Sequence, residues 1–274
     1  MATHHTPNKT RLSVSVPAGS LHIDAQDTQE TRIEVEPRND PARELMGDVR
    51  ESMREAPGGE HDVVLEIPER GKRWGFFGSE PQFDVTIVVP TGTDVRIETV
   101  AADVKTTGTL GTGRIQTVSG DVKTESLTGD LELKSVSGDV EANSVGGGGR
   151  LQSVSGDATL REVAGAITLK SVSGDLRVGT AGTGMRATSV SGDVMVDVAG
   201  SGEVAVKTTS GDIELGIPRG TSVWMDVSSM SGDTHSELDS SDGTPGDATL
   251  EIKASSLSGD ITLRRASAGA SVGS

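Results

Sequence analysis

The chain has 274 residues, of which 33% are hydrophobic and 2% aromatic, with 36 glycines and no cysteine. This composition excludes a thick globular core, disulfides and thiolate metal sites, and it favours a thin core repeated along an axis. The formal net charge of −16 argues against binding to nucleic acid or to an anionic lipid surface, because phosphates would be repelled.

The N-terminal segment MATHHTPNKTRLSVSV lacks the apolar run of a signal peptide, and the chain contains no apolar run long enough for a transmembrane segment. We therefore expect a cytoplasmic protein. Residues 1–9 are polar and are predicted to be a disordered tail. Their two histidines, His4 and His5, are expected to be solvated rather than metal-bound.

Residues 10–95 are predicted to form a β-rich cap. Short segments alternate apolar and polar residues and end at Pro or Gly, as in TRIEVEP and FDVTIVVP. Between them an apolar stripe behind Pro41 predicts one helix over residues 41–56, begun by Asn39 or Asp40 and ended by Gly58 and Gly59. The cap is expected to cover an open sheet edge, which would otherwise invite aggregation.

A short segment of the predicted cap concentrates aromatic and basic residues in an otherwise acidic chain. Its members are Arg70, Lys72, Arg73, Trp74, Phe76 and Phe77, and Phe83 follows. One interpretation is that these rings fold back over the cap, since large apolar groups are usually buried. The other is a partner-binding tip, because aromatic and arginine residues supply much of the binding energy of interfaces.

From residue 96 to 265 a nine-residue pattern repeats. In units such as those that begin at Val118, Leu127 and Val136, apolar residues recur at positions one, five and seven, and a small residue, usually Gly, recurs at position three. This alternation predicts strands, with the apolar positions facing inward.

A second period, twice as long, lies over the first, because aspartate occupies position four mainly in alternate units. It recurs at Asp121, Asp139, Asp157, Asp175 and Asp193. Two units therefore make one coil, which predicts an all-β parallel β-solenoid (β-helix) of about 18 residues per coil behind the capped N-terminus.

Towards the C-terminus the spacing loosens to Asp212, Asp233 and Asp260, and an acidic loop at 234–248 interrupts the repeat. Trp224 stands alone in a late coil and is expected in the core. Residues 266–274 are predicted to be a disordered tail.

The register TVSGDVKT…LTGDLELKSVSGDV, behind the strand-rich segment DVTIVVPTGTDVRIETVAADV, resembles a bacterial putative-adhesin β-strand-repeat family, also known as a domain of unknown function. The resemblance covers roughly residues 10–265. It implies a right-handed solenoid and no established activity.

The Ser-Gly-Asp repeats allow a structural interpretation, in which Ser and Asp side chains bond to neighbouring backbone amides in stacked turns. Alternatively, Asp121, Asp139, Asp157, Asp175 and Asp193 form a calcium ladder like that of β-rolls, which also use nine-residue repeats. The residues of this repeat differ from those of the β-roll motif, and one carboxylate per coil supplies few of the six to eight oxygens that calcium needs.

We therefore expect a non-enzymatic scaffold or protein-interaction module, with a protein partner and no cofactor. The alternatives are a calcium-stabilised β-roll, an exported surface adhesin and a polysaccharide-active β-helix enzyme. The last lacks sequence support, because the repeats contain one tryptophan, no tyrosine and one histidine, His235. The N-terminal cap and the polar C-terminal tail oppose end-to-end assembly, so we expect a monomer or small oligomer.

Overall fold

The computed structural model describes residues 2–56, 58–68, 80–238 and 249–266. These residues are mostly β-strand, and they group into two compact units, Met1–Gly138 and Asp139–Ser274. The predicted boundary near residue 95 falls inside the first unit. No helix within the described ranges is long and apolar enough to cross a membrane.

Unit 1 is built around two parallel ladders. Its strands are β1 (Ala2–His5), β2 (Thr10–Gln26), β3 (Glu30–Pro37), β4 (Arg50–Glu55), β5 (His61–Glu66), β6 (Phe83–Pro90), β7 (Asp94–Leu110), β8 (Gly113–Thr117), β9 (Val122–Leu127) and β10 (Leu131–Ser137). The 17-residue strands β2 and β7 take part in both ladders. One ladder runs β5–β2–β7–β8–β10 and the other β6–β2–β7–β9.

Antiparallel strands close one end of both ladders in unit 1. Strand β4 pairs with β5, β3 pairs with β6, and β1 pairs with β3. The prediction that residues 1–9 form a disordered tail is therefore wrong for β1, whose Ala2 lies opposite Ile33. Its short polar sequence carries no strand signal of its own, and the unpaired edge of β3 supplies the backbone partners.

The helix predicted over residues 41–56 is much shorter than expected. Helix α1 spans Asp40–Leu45 and is followed by a 3-10 turn, Met46–Asp48. The predicted cap is present, since Asn39 Oδ1 accepts a hydrogen bond from the Ala42 amide at 3.0 Å. The rest of the prediction is wrong, because β4 pairs with β5, and an open sheet edge offers a full set of backbone hydrogen bonds that outweighs a weak apolar stripe.

Unit 2 repeats the parallel arrangement. Its strands are β11 (Val140–Val145), β12 (Gly149–Ser155), β13 (Ala158–Val163), β14 (Ile167–Ser173), β15 (Leu176–Ser191), β16 (Val194–Ser210), β17 (Ile213–Ile217), β18 (Ser222–Ser231), β19 (Thr234–Ser236), β20 (Thr249–Ser258) and β21 (Ile261–Arg265). Ala158 pairs with Leu176, and Leu176 pairs with Val194, each partner lying two repeat units further along the chain. Equivalent residues of successive coils therefore lie side by side. The winding direction, expected to be right-handed, stays a prediction.

The last two coils of unit 2 are stacked out of sequence order. Strand β20 lies between β16 and β18, and β21 lies between β17 and β19. The ladders therefore end at β18 and β19, and the last two strands of the chain, β20 and β21, are inserted before them. Ala266, the first residue of the predicted C-terminal tail, therefore follows an inserted coil.

Position one of the nine-residue unit faces inward only in alternate units. Leu127, Val145 and Val163 are buried as predicted, each at 2% exposure. The matching valines before Ser-Gly-Asp are instead 45–49% exposed, namely Val118, Val136, Val154, Val172 and Val190. Leu169 and Ser171 are buried on β14, so the alternation turns the next residue, Val172, outward. On β13, by contrast, Arg161 and Glu162 are both exposed, and this break in the alternation turns Val163 inward.

Trp224 also departs from its predicted place. Its side chain is 54% exposed, because it points outward from β18, the end strand of its ladder. Phe83 is fully buried at 0% exposure, as expected if cap aromatics fold inward.

Val140→Asp should destabilise the protein far more than Val154→Asp. Val140 is 2% exposed whereas Val154 is 47% exposed, so only the first change forces an unpaired carboxylate into a narrow apolar interior. We expect Val140→Asp to lower the melting temperature by about 10 °C or more and Val154→Asp by only a few degrees. Equal losses in thermal melts followed by circular dichroism would show that the two faces are misassigned.

Candidate interaction surfaces

The aspartates of the repeat form a hydrogen-bonded ladder along unit 2. The Asp175 amide donates to Asp157 Oδ1 at 2.8 Å, and the Asp193 amide donates to Asp175 Oδ1 at 2.8 Å. The ladder continues through Asp212, Asp260 and Asp233, in the stacking order of the coils. Each carboxylate thus binds the turn amide of the next coil, and such charge-assisted bonds are stronger than neutral ones.

The glycine before each aspartate lets successive turns approach closely. Gly174 has φ +117°, and a Cβ placed there would lie 2.3 Å from the Gly156 carbonyl oxygen. Any other residue would be strained and would push the coils apart. In unit 2 the Ser-Gly-Asp turns therefore hold successive coils in close, hydrogen-bonded contact, which supports the structural interpretation of the repeat.

A metal role for the same aspartates receives no support from the geometry. Across the described ranges no group of three or more His, Asp or Glu is arranged to hold a metal ion. Calcium binding by Asp121, Asp139, Asp157, Asp175 and Asp193 stays a hypothesis.

In unit 1 the surroundings of Asp84 shift the pKa of its carboxyl group. The pKa of Asp84 is lowered by the Ser20 hydroxyl, which donates to it at 2.6 Å, against the opposing effect of burial, and the Arg38 guanidinium at 2.6 Å lowers it further. A lowered pKa keeps the carboxylate ionised at neutral pH, which suits an ion pair better than a general acid.

The exposed valines form a row on the outer face of unit 2. Val172 and Val190 are neighbours, because Ser171 pairs with Ser189 and Ser173 with Ser191 on either side of them. Val154 precedes Val172 by the same interval of two repeat units. We call Val154, Val172 and Val190 the valine row.

Positive side chains lie on the same outward face as the valine row. Lys170 and Lys207 are exposed on β14 and β16, and Arg150 is exposed on β12. None of these three makes an ion pair with the described residues, whereas Lys253 on the same face pairs with Glu251 at 2.7 Å. A shallow groove of about 310 Å³ crosses this face and is lined by Lys207, among others.

Unit 1 carries a similar row on its own outer face. Val100, Val118 and Val136 are 37%, 45% and 47% exposed. They line a shallow groove of about 380 Å³ together with Gln116 and Lys134. The sequence signal for both rows was present, since these valines recur in every second nine-residue unit, but the face to which they point was misread.

The predicted partner-binding segment cannot be compared with these rows. Arg70, Lys72, Arg73, Trp74, Phe76 and Phe77 all lie outside the described residues. Their role as a contact surface stays a prediction from the sequence.

The ladder geometry predicts different effects for two substitutions of Asp175. Asp175→Ala removes the acceptor for the Asp193 amide and should lower the free energy of unfolding by about 1–2 kcal/mol. Asp175→Asn keeps a carbonyl oxygen and removes charge from a row of carboxylates, so it should cost clearly less. Urea denaturation of both variants measures the difference, and equal costs would contradict the amide-acceptor role.

Chelation provides the control for the same ladder. If amide bonds hold the aspartates, EDTA should leave the melting temperatures of wild type and of both variants unchanged. A fall of several degrees that calcium restores and magnesium does not would favour the calcium ladder instead.

Comparison with known proteins places the chain in a family. The model of the family described as Toastrack DUF4097 matches residues 9–264, and no curated protein matches significantly. Among solved structures, a “putative adhesin” from Bacteroides fragilis NCTC 9343 is 12% identical, with 96% of this chain and 95% of that chain covered and a TM-score of 0.45. One from Parabacteroides merdae ATCC 43184 is 11% identical, with 96% and 95% covered and a TM-score of 0.30. No functional conclusion follows from such distant structures. The family match spans most of the sequence, and the chain belongs to the Toastrack DUF4097 family.

Proposed function

We propose that the chain is a non-enzymatic β-solenoid, wound right-handed with two nine-residue units per coil, that serves as a protein-interaction scaffold. The valine row of unit 2 is the observation that supports this proposal. A regular row of half-exposed aliphatic side chains is a surface on which a partner can bury apolar area.

Strand propensity alone does not account for the valines. Threonine has a comparable preference for strands, and Thr209 occupies the next position of the same row after Val190 without exposing a second methyl group to water. A hydroxyl residue therefore fits this place in the coil. The valines at positions 154, 172 and 190 keep apolar surface in contact with water. Burial of that surface by a partner would make binding more favourable.

The charges beside the row indicate the chemistry of the partner. Arg150, Lys170 and Lys207 lack a carboxylate partner among the described residues, on a chain whose net charge is −16. They would attract carboxylates and fix the register of a partner. The partner of this surface is therefore a protein segment in which Val, Ile or Leu alternates with Asp or Glu, as in an extended strand.

Selection from a displayed library of twelve-residue peptides tests the proposal. Wild type should enrich peptides that alternate aliphatic and acidic residues. The triple variant Val154→Ser, Val172→Ser, Val190→Ser should bind a selected peptide at least about tenfold more weakly, because the buried apolar area is lost. Lys170→Glu should weaken binding and reduce its dependence on salt.

Val64→Ser is the matched control, since Val64 is also exposed, at 37%, but lies on β5 in unit 1. It should leave peptide affinity unchanged. Selected peptides that bind the triple variant as tightly as wild type would overturn the assignment of the surface.

The aromatic segment remains a second, sequence-based candidate for partner contact. The variant Trp74→Ala, Phe76→Ala, Phe77→Ala in the same binding measurement separates the two surfaces.

A cytoplasmic location belongs to the proposal as well. Cell fractionation that finds the protein on the outer surface would favour the adhesin alternative.

A further inference from the structure

The end strand of unit 2, β18, has one unpaired edge. Among the described strands it pairs only with β20, and its other edge has no strand beside it. The backbone N–H and C=O groups of alternate residues in this ten-residue strand therefore point to that edge, where a further strand can add.

The core is open at the same place. Met225, an inward position of β18, is 42% exposed, whereas its register partner Ile252 on β20 is 0% exposed. Two of the outward side chains of the strand are also apolar and accessible, Trp224 at 54% and Met230 at 80% exposure. Both faces of β18 would lose water contact if another strand continued the sheet.

The β18 edge lacks the features that normally protect an edge strand. Asp226 is the single charged residue in its ten, and the strand contains neither proline nor glycine. By contrast, four of the six residues of β4, an edge strand of unit 1, are charged. Charged edges discourage strand addition, so β4 is protected and β18 is left open to pairing.

We propose that β18 pairs antiparallel with β18 of a second copy, about a two-fold axis at Val227. In an antiparallel pair related by such an axis, residues that face each other lie on the same side of the sheet, so the pairing must be centred on a residue. The two central choices are Asp226 and Val227. A pairing centred on Asp226 sets two carboxylates directly opposite each other, which is destabilising.

The pairing centred on Val227 gives complementary contacts on the outward face of the strand. It sets Trp224 of each copy opposite Met230 of the other, and methionine sulfur packs favourably against aromatic rings. It also sets Asp226 opposite Ser228, where no like charges meet. The strand is therefore complementary to itself in one register. Met230 lies in the same outward row as Val190, three strands further along the ladder. The inference concerns the backbone edge of β18 and does not depend on the proposed function.

Substitutions at Ser228 test the register, because Ser228 is exposed and lies opposite Asp226 of the second copy. The two-fold symmetry gives two such pairs, so a charge introduced at position 228 acts at both. Wild type should have twice the monomer mass of 28.2 kDa in light scattering coupled to size exclusion. Ser228→Asp should weaken dimerisation at least about tenfold, through two repulsive pairs. Ser228→Lys should leave it equal or tighter. Melting temperatures show that each variant is folded.

Ser255→Asp is the matched control, because Ser255 lies beside Ser228 on β20, one strand away from the proposed interface. It should leave the dimer intact, and so should the triple valine-to-serine variant of the valine row. A wild-type protein that stays monomeric at every concentration would overturn the inference. So would a dimer that Ser228→Asp and Ser228→Lys affect equally.

Discussion

In-register parallel pairing at an offset of two nine-residue units is the constraint on which the other features of unit 2 depend. Each coil lies beside the next so that Ala158, Leu176 and Val194 occupy equivalent places. This close approach requires glycine at position 174, because a Cβ there would lie 2.3 Å from the carbonyl oxygen of Gly156. A residue that recurs at the same position of the repeat therefore forms a row of identical side chains along the ladder. Where that position faces outward, its residue type decides whether the surface there is apolar, acidic or hydroxylated.

The sequence was sufficient for the features that arise within one coil. The recurrence of aspartate in alternate units predicted parallel strands, and the small residue before each aspartate predicted a turn. The orientation of Val172 was missed because both nine-residue units were treated alike, although two consecutive exposed residues break the alternation before Val163 and none do so before Val172. The helix was overextended because pairing of β4 with β5 is a tertiary interaction that local periodicity does not contain.

The order of the last coils could not be read from the sequence for a different reason. Asp212, Asp233 and Asp260 follow one another along the chain, but in the ladder the Asp260 amide binds Asp212 and the Asp233 amide binds Asp260. Local strand signals do not say which of two similar coils stacks first. This exchange makes β18 an end strand, so its unpaired edge could not be predicted from the local sequence pattern.

Thiol labelling tests the central claim, that alternate units turn position one to opposite faces. The chain has no cysteine, so Val172→Cys and Val163→Cys each introduce a single thiol at position one of consecutive units. Val172 is 48% exposed and Val163 is 2% exposed. The thiol of Val172→Cys should therefore react with a soluble maleimide in the native protein, and that of Val163→Cys only after denaturation. Equal reactivity of the two native variants would contradict the alternation and, with it, the valine row.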